Sequence, residues 1–155
     1  MINSQSLPRL VDLIQMLPWA SEADFIHQEF INLITSTARY GDITDVAVLL
    51  YMLKKETKTH NFVVSLMDAV FEEILRAIER NDFKESQQRI SVVKFVAEAY
   101  NHKLLHTDNL FDLLYKLINY DIVFRQSDQY LASLDTNPID SFRIRLVCTL
   151  LDSLG

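Results

Sequence analysis

Thr59-His60-Asn61-Phe62-Val63-Val64-Ser65-Leu66-Met67-Asp68-Ala69-Val70-Phe71-Glu72-Glu73-Ile74-Leu75-Arg76-Ala77-Ile78-Glu79-Arg80 is the stretch whose reading decides the fold class. Its apolar residues recur at steps of three and four. On a wheel of ~100° per residue, Val63, Leu66, Met67, Val70, Ile74 and Ala77 gather between ~160° and ~260° from Asp68. That pattern is a helix with one face in a core. On the opposite side Glu79 falls at ~20°, Glu72 at ~40°, Leu75 at ~−20° and Val64 at ~−40°. Asp68, Glu72 and Glu79 therefore share a ridge with Val64 and Leu75, two apolar residues turned away from the core. A purely solvated face has no use for them. Carboxylates interleaved with apolar side chains suit a protein partner with a basic surface.

Working outward, the rest of the chain reads the same way. Leu10, Leu13, Ile14 and Leu17 keep helical spacing from Leu7 until Pro18, which disfavours helical geometry in the residue before it. Trp19 anchors the corner that follows. Ser21 is placed to cap a helix running to Tyr40, with Phe25, Phe30, Ile31, Leu33 and Ile34 on its apolar side. Gly41 reads as a stop, and Asp42 or Thr44 as the next cap. Val46, Leu49, Leu50 and Leu53 lead to Lys54-Lys55, which complement a helix C-terminus. After Asn81-Asp82, helices are expected over Ser86–Lys103 and from Thr107 or Asp108 through Leu110, Phe111, Leu114, Leu117 and Ile118. Asp121 to Asn137 reads as one long irregular stretch, and Phe142 to Leu154 as a last helix capped by Asp140 or Ser141. Seven helices in pairs joined by short turns predict an all-α, HEAT-like α-solenoid of antiparallel helix pairs, with a compact bundle as the alternative since no exact repeat is present.

Composition agrees. With 155 residues and 49% hydrophobic side chains, the chain suits one domain with a real core. Two glycines and three prolines are too few for a turn-rich sheet fold. Fifteen basic and 21 acidic residues leave a charge of −6, which opposes bulk attraction to phosphate backbones. The single cysteine, Cys148, allows no internal disulfide and reads as a small buried hydrophobe. No apolar run reaches the ~18 residues that span a bilayer, and the expected location is cytoplasmic, with no membrane contact.

The residues carry little chemistry. Two glycines cannot build a phosphate loop, and no Gly-x-Ser-x-Gly elbow or cysteine pair is present. Glu72 and Glu73 are adjacent and point ~100° apart, so they do not converge as a catalytic pair. His102 and His106 have a ligand spacing but straddle a helix end. No residue is read as catalytic, cofactor-binding or metal-binding. Lys54, Lys55 and Lys58 read as caps and solvating charges rather than as a single-strand platform.

Three stretches carry a resemblance: Leu17-Pro18-Trp19, then Arg89-Ile90-Ser91-Val92-Val93-Lys94-Phe95-Val96-Ala97-Glu98-Ala99-Tyr100-Asn101, then Phe142-Arg143-Ile144-Arg145-Leu146-Val147-Cys148-Thr149-Leu150-Leu151-Asp152. They resemble the family named after the middle domain of eukaryotic initiation factor 4G, and within it the third such module of the scaffold of nonsense-mediated mRNA decay. The resemblance runs from about Leu7 to Gly155, and the last stretch is the most specific. It implies a non-catalytic scaffold without cofactors. It also implies a partner, the up-frameshift three protein, which offers the sheet face of an RNA-recognition-fold domain. In the family, acids at the positions of Asp68, Glu72 and Glu79 meet basic residues of that domain. Leu75 departs from the pattern, since a basic residue is expected there. The family module continues past Asp152 with further helices, so residues 1–155 read as one module cut short at its C-terminal end. Other surveillance components are expected to bind parts of the full protein outside this chain, and RNA only weakly or indirectly.

Two alternatives stand beside this reading. One is a middle-domain relative that binds RNA or an RNA helicase. The other is an enzyme whose pocket would bring together distant residues such as His27, His60 and His102.

Overall fold

Among the described residues, a computed structural model gives seven α-helices: α1 (Leu7–Gln15), α2 (Trp19–Ser36), α3 (Tyr40–Lys55), α4 (His60–Arg80), α5 (Ser86–Asn101), α6 (Thr107–Arg125) and α7 (Pro138–Ser153). The description covers residues 6–36, 40–80, 86–125 and 138–155, and at 40, 78–80, 120–125 and 138–143 it covers the backbone alone. Every described element is a helix, as the apolar spacing predicts.

The two most extensive helix contacts join elements two apart, α5 with α7 and α3 with α5. α1 lies on α3, α3 on α5 and α5 on α7, which makes one row. α2 lies on α4 in a second row, and contacts of α3 with α4, α2 with α5, α4 with α5 and α6 with α7 join the two rows. This is the two-layer stacking of a HEAT-like solenoid.

α5 is the centre. Ile90, Val92, Val93, Phe95, Val96, Ala97 and Ala99 are all buried, and so are Arg89, Ser91 and Glu98 on the same helix. A helix enclosed on every side needs partners for its polar groups. Ser91 Oγ donates to the carbonyl of Gln87 at 3.1 Å, and Thr44 Oγ1 donates to Glu98 Oε2 at 3.4 Å. His102 Nε2 stands 3.6 Å from the same Glu98 oxygen.

The helix ends differ from the sequence reading in instructive ways. Thr44 bonds across to α5 instead of capping α3, which already begins at Tyr40. Gly41 sits in the first turn of α3 without a positive φ, so it stops nothing. Ser21 Oγ donates back to the Pro18 carbonyl at 3.4 Å rather than capping, and α2 starts at Trp19 with a kink at Glu22 (φ −125°, ψ 21°). Trp19 does anchor the corner: its Nε1 donates to the Ile14 carbonyl at 3.0 Å. That carbonyl also accepts the Leu17 N–H at 3.1 Å, so the indole is its second donor. Lys58 Nζ reaches the Gln15 carbonyl at the end of α1 at 2.7 Å, an acceptor of the kind that a helix end leaves open.

α6 runs five residues into the stretch expected to be irregular, and α7 starts at Pro138, the helix position proline tolerates best. Asn81-Asp82 and residues 126–137 lie outside the described residues. Phe25, Leu33, Phe111 and Ile118, expected in the core, are exposed. Cys148 is exposed as well, on the side of α7 opposite the buried Leu146 and Leu150. Periodicity marks an apolar stripe but not which edge of the stripe a neighbouring helix reaches.

Candidate partner-binding face

α4 is fixed at its start by a small set of contacts. Thr59, fully buried, donates its hydroxyl to the Leu53 carbonyl at 2.6 Å, while its own carbonyl accepts the Val63 N–H at 3.1 Å. His60 Nδ1 lies 2.9 Å from the Lys54 carbonyl. One turn further, Phe62 meets Trp19 edge-on at 4.6 Å, Phe30 at 5.3 Å and His27 at 6.0 Å between ring centres. Such edge contacts add ~0.5–1.5 kcal/mol each beyond the area they bury. They set the rotation of α4 and hence the direction of its outer side.

On that outer side Asp68 and Glu72 are exposed, and Val64 is 44% exposed. These three stand in the open, as the wheel predicts. Leu75 is different. It is half-buried and turned into a cleft between α4 and α6, together with Asp68, Phe71, Glu72, Asn109, Asp112, Leu113 and Lys116. The cleft holds about 300 Å³. Glu79 belongs to the last turn of α4, but its side chain lies outside the described residues.

Glu72 and Glu73 diverge, as adjacent helical positions must. Glu72 borders the α6 cleft, whereas Glu73 lines a separate cavity of about 30 Å³ with Arg89 and Val92. Arg76 lies 3.5 Å from a carboxylate oxygen of each. With Arg76 and Glu72 both largely in solvent, that contact holds neither side chain firmly. Asp68 and Asp112 have no ion pair among the described residues.

The sequence reading finds both helices, but only the α4 wall of this cleft and not the α6 wall. Asn109, Asp112 and Lys116 recur at three- and four-residue steps and share a flank of their helix, yet nothing local says that this flank faces α4.

The remaining candidate residues are engaged separately. His27 packs on Phe62, His60 bonds a backbone carbonyl and His102 lies against Glu98. Among the described residues, no group of three or more His, Cys, Asp or Glu is placed to hold a metal ion. Lys54 Nζ donates to the Leu104 carbonyl at 3.1 Å, Lys58 is spent on Gln15, and Lys55 sits 4.4 Å above the Tyr51 ring. Lys58 thus serves a helix end and Lys54 the turn after α5, while Lys55 lies over a ring, a contact that the reading as caps and solvating charges did not include. Among the described residues, no helix is long and apolar enough to cross a membrane.

The MIF4G domain matches residues 1–155. The chain belongs to the MIF4G domain family. Among curated proteins it is similar to the "regulator of nonsense transcripts 2" of Homo sapiens, with 33% identity over 99% of this chain and 12% of that protein. It is similar to the "regulator of nonsense transcripts UPF2" of Arabidopsis thaliana, with 29% identity over 99% of this chain and 12% of that protein. A third relative is the "nonsense-mediated mRNA decay protein 2" of Saccharomyces cerevisiae, with 28% identity over 97% of this chain and 14% of that protein. The chain thus spans about an eighth of the length of these relatives.

Proposed function

We propose that this MIF4G domain is a non-catalytic, cytoplasmic scaffold module of the nonsense-mediated mRNA decay machinery, corresponding to the third such module of its relatives. Its partner is the RNA-recognition-fold domain of the up-frameshift three protein, and its contact face is the outer side of α4: Asp68, Glu72 and Glu79 with Val64 and Leu75. The observation that carries the reading is the exposure of Asp68, Glu72 and Val64 side by side on a helix whose other face is wholly occupied by the core. Carboxylates there speed encounter with a basic surface, and apolar contacts slow dissociation. Likeness to proteins named for nonsense-transcript regulation supports the process. With Lys54 and Lys58 committed to backbone carbonyls, nothing favours RNA as the principal ligand.

Calorimetric titration with that RNA-recognition-fold domain tests the proposal. Wild-type binding is expected, and Asp68→Lys or Glu79→Arg should each weaken it by about 2 kcal/mol or more, roughly 30-fold. Unchanged affinity in folded variants would remove the assignment of this ridge. No binding by the folded wild type would remove the partner.

A further inference from the structure

We infer that the cleft between α4 and α6 receives one long basic side chain, an arginine, from the protein partner, so that α6 supplies the second wall of the binding face. This rests on the proposed role of the α4 ridge and extends it to residues outside that ridge.

The cleft has two chemically distinct levels. Phe71, Leu75 and the buried Leu113 form an apolar surface, and Asp68, Glu72 and Asp112 stand around it as carboxylates. Its volume is about 300 Å³. A ligand for such a site needs an apolar stem and a cationic head. Arginine has both: its methylenes lie along apolar surface while the guanidinium stays at the rim. The planar fork also donates to more than one carboxylate at once, which an ammonium does less well. Asp68 lies on α4 and Asp112 on α6, and neither has an ion pair among the described residues, so both can accept without first releasing another cation.

The cleft also explains the half-burial of Leu75. A basic residue at that position would carry its own charge into the cleft, whereas leucine leaves the charge to be supplied from outside. Lys116 is the one cation among the lining residues. It forms no ion pair among the described residues, and its like charge repels an incoming guanidinium, which gives the inference a signature of opposite signs.

The test is the titration described above, repeated with Asp112→Asn and Lys116→Gln in the same 155-residue chain. Both side chains are exposed, so the fold tolerates both changes, which circular dichroism and thermal melting verify. Asp112→Asn should weaken binding at least fivefold, and Lys116→Gln should tighten it severalfold, both effects shrinking as salt is raised. Wild-type binding that Asp68→Lys weakens but neither α6 variant alters would overturn the arginine cleft and leave the ridge intact. Failure of wild-type binding would overturn both.

Discussion

Thr59 Oγ1 donates to the Leu53 carbonyl at 2.6 Å with no water access to the threonine. The bond joins the last turn of α3 to the residue that begins α4, and so links the core row to the helix bearing the acidic ridge. The Leu53 carbonyl also accepts the Glu56 N–H at 3.2 Å, so the hydroxyl is its second partner. Thr59→Val keeps the shape and removes one hydrogen bond. It should cost about 1 kcal/mol in a urea melt, with Thr59→Ser recovering most of the loss. A Thr59→Val variant as stable as wild type would show that the bond contributes nothing net.

Two positions carry backbone conformations better suited to each other's residue type. Lys103 has φ 60°, the left-handed geometry that ends α5. There the Leu104 N–H bonds the Ala99 carbonyl at 2.8 Å and the Lys103 N–H bonds Tyr100 at 2.9 Å, a Schellman closure in which glycine is usual. Gly41 has no positive φ, and a Cβ added there meets nothing within 4 Å. Lys103→Gly and Gly41→Ala should each stabilise the domain, by about 0.5–1 kcal/mol. Thermal melts of the two single variants check the sign, and a fall in melting temperature for either would count against its assignment.

Asn101 at the end of α5 ties down the last residues of the chain, where Leu154 also packs against the core. Asn101 Nδ2 donates to the Ser153 carbonyl at 3.0 Å and its Oδ1 accepts the Gly155 N–H at 3.2 Å. Asn101→Ala should raise the hydrogen-exchange rate of the last turn of α7 while leaving amides at the centre of α5 protected, a loss of about 1–2 kcal/mol confined to local opening of that end. Uniform loss of protection would mean that Asn101 supports the whole stack rather than its end.

Cys148 should react stoichiometrically with a thiol reagent in the native protein, because its side chain faces solvent. Labelling that waits for denaturant would contradict the orientation of α7.

Substitution of the ridge itself should leave the fold alone. Glu72 contacts Arg76 at 3.5 Å with both side chains largely in solvent. Glu72→Gln should change stability by no more than about 0.5 kcal/mol in chemical denaturation. A larger loss would mean that binding defects of ridge variants report folding.

The sequence by itself determined seven helices and the outward side of α4, because both follow from the ~3.6-residue period of side chains along one element. Val63, Leu66, Val70 and Ile74 are buried, while Asp68, Glu72 and Val64 are not, as the wheel requires. Trp19 at the corner and Thr59 at the head of α4 were legible because a proline or a turn pins them locally. What the sequence left undecided depends on contacts between helices far apart in the chain. Cys148 and Phe111 lie beside apolar stripes, and only the neighbours' positions show that they stay outside. Leu75 reads as a surface residue until α6 is seen to turn its ridge into a cleft wall. Asp112 and Lys116 join it from 37 to 41 residues further along the chain. A helical period fixes which side chains share a face. The partner of that face is chosen by the packing of the whole stack, which is a property of the folded chain and of no single segment.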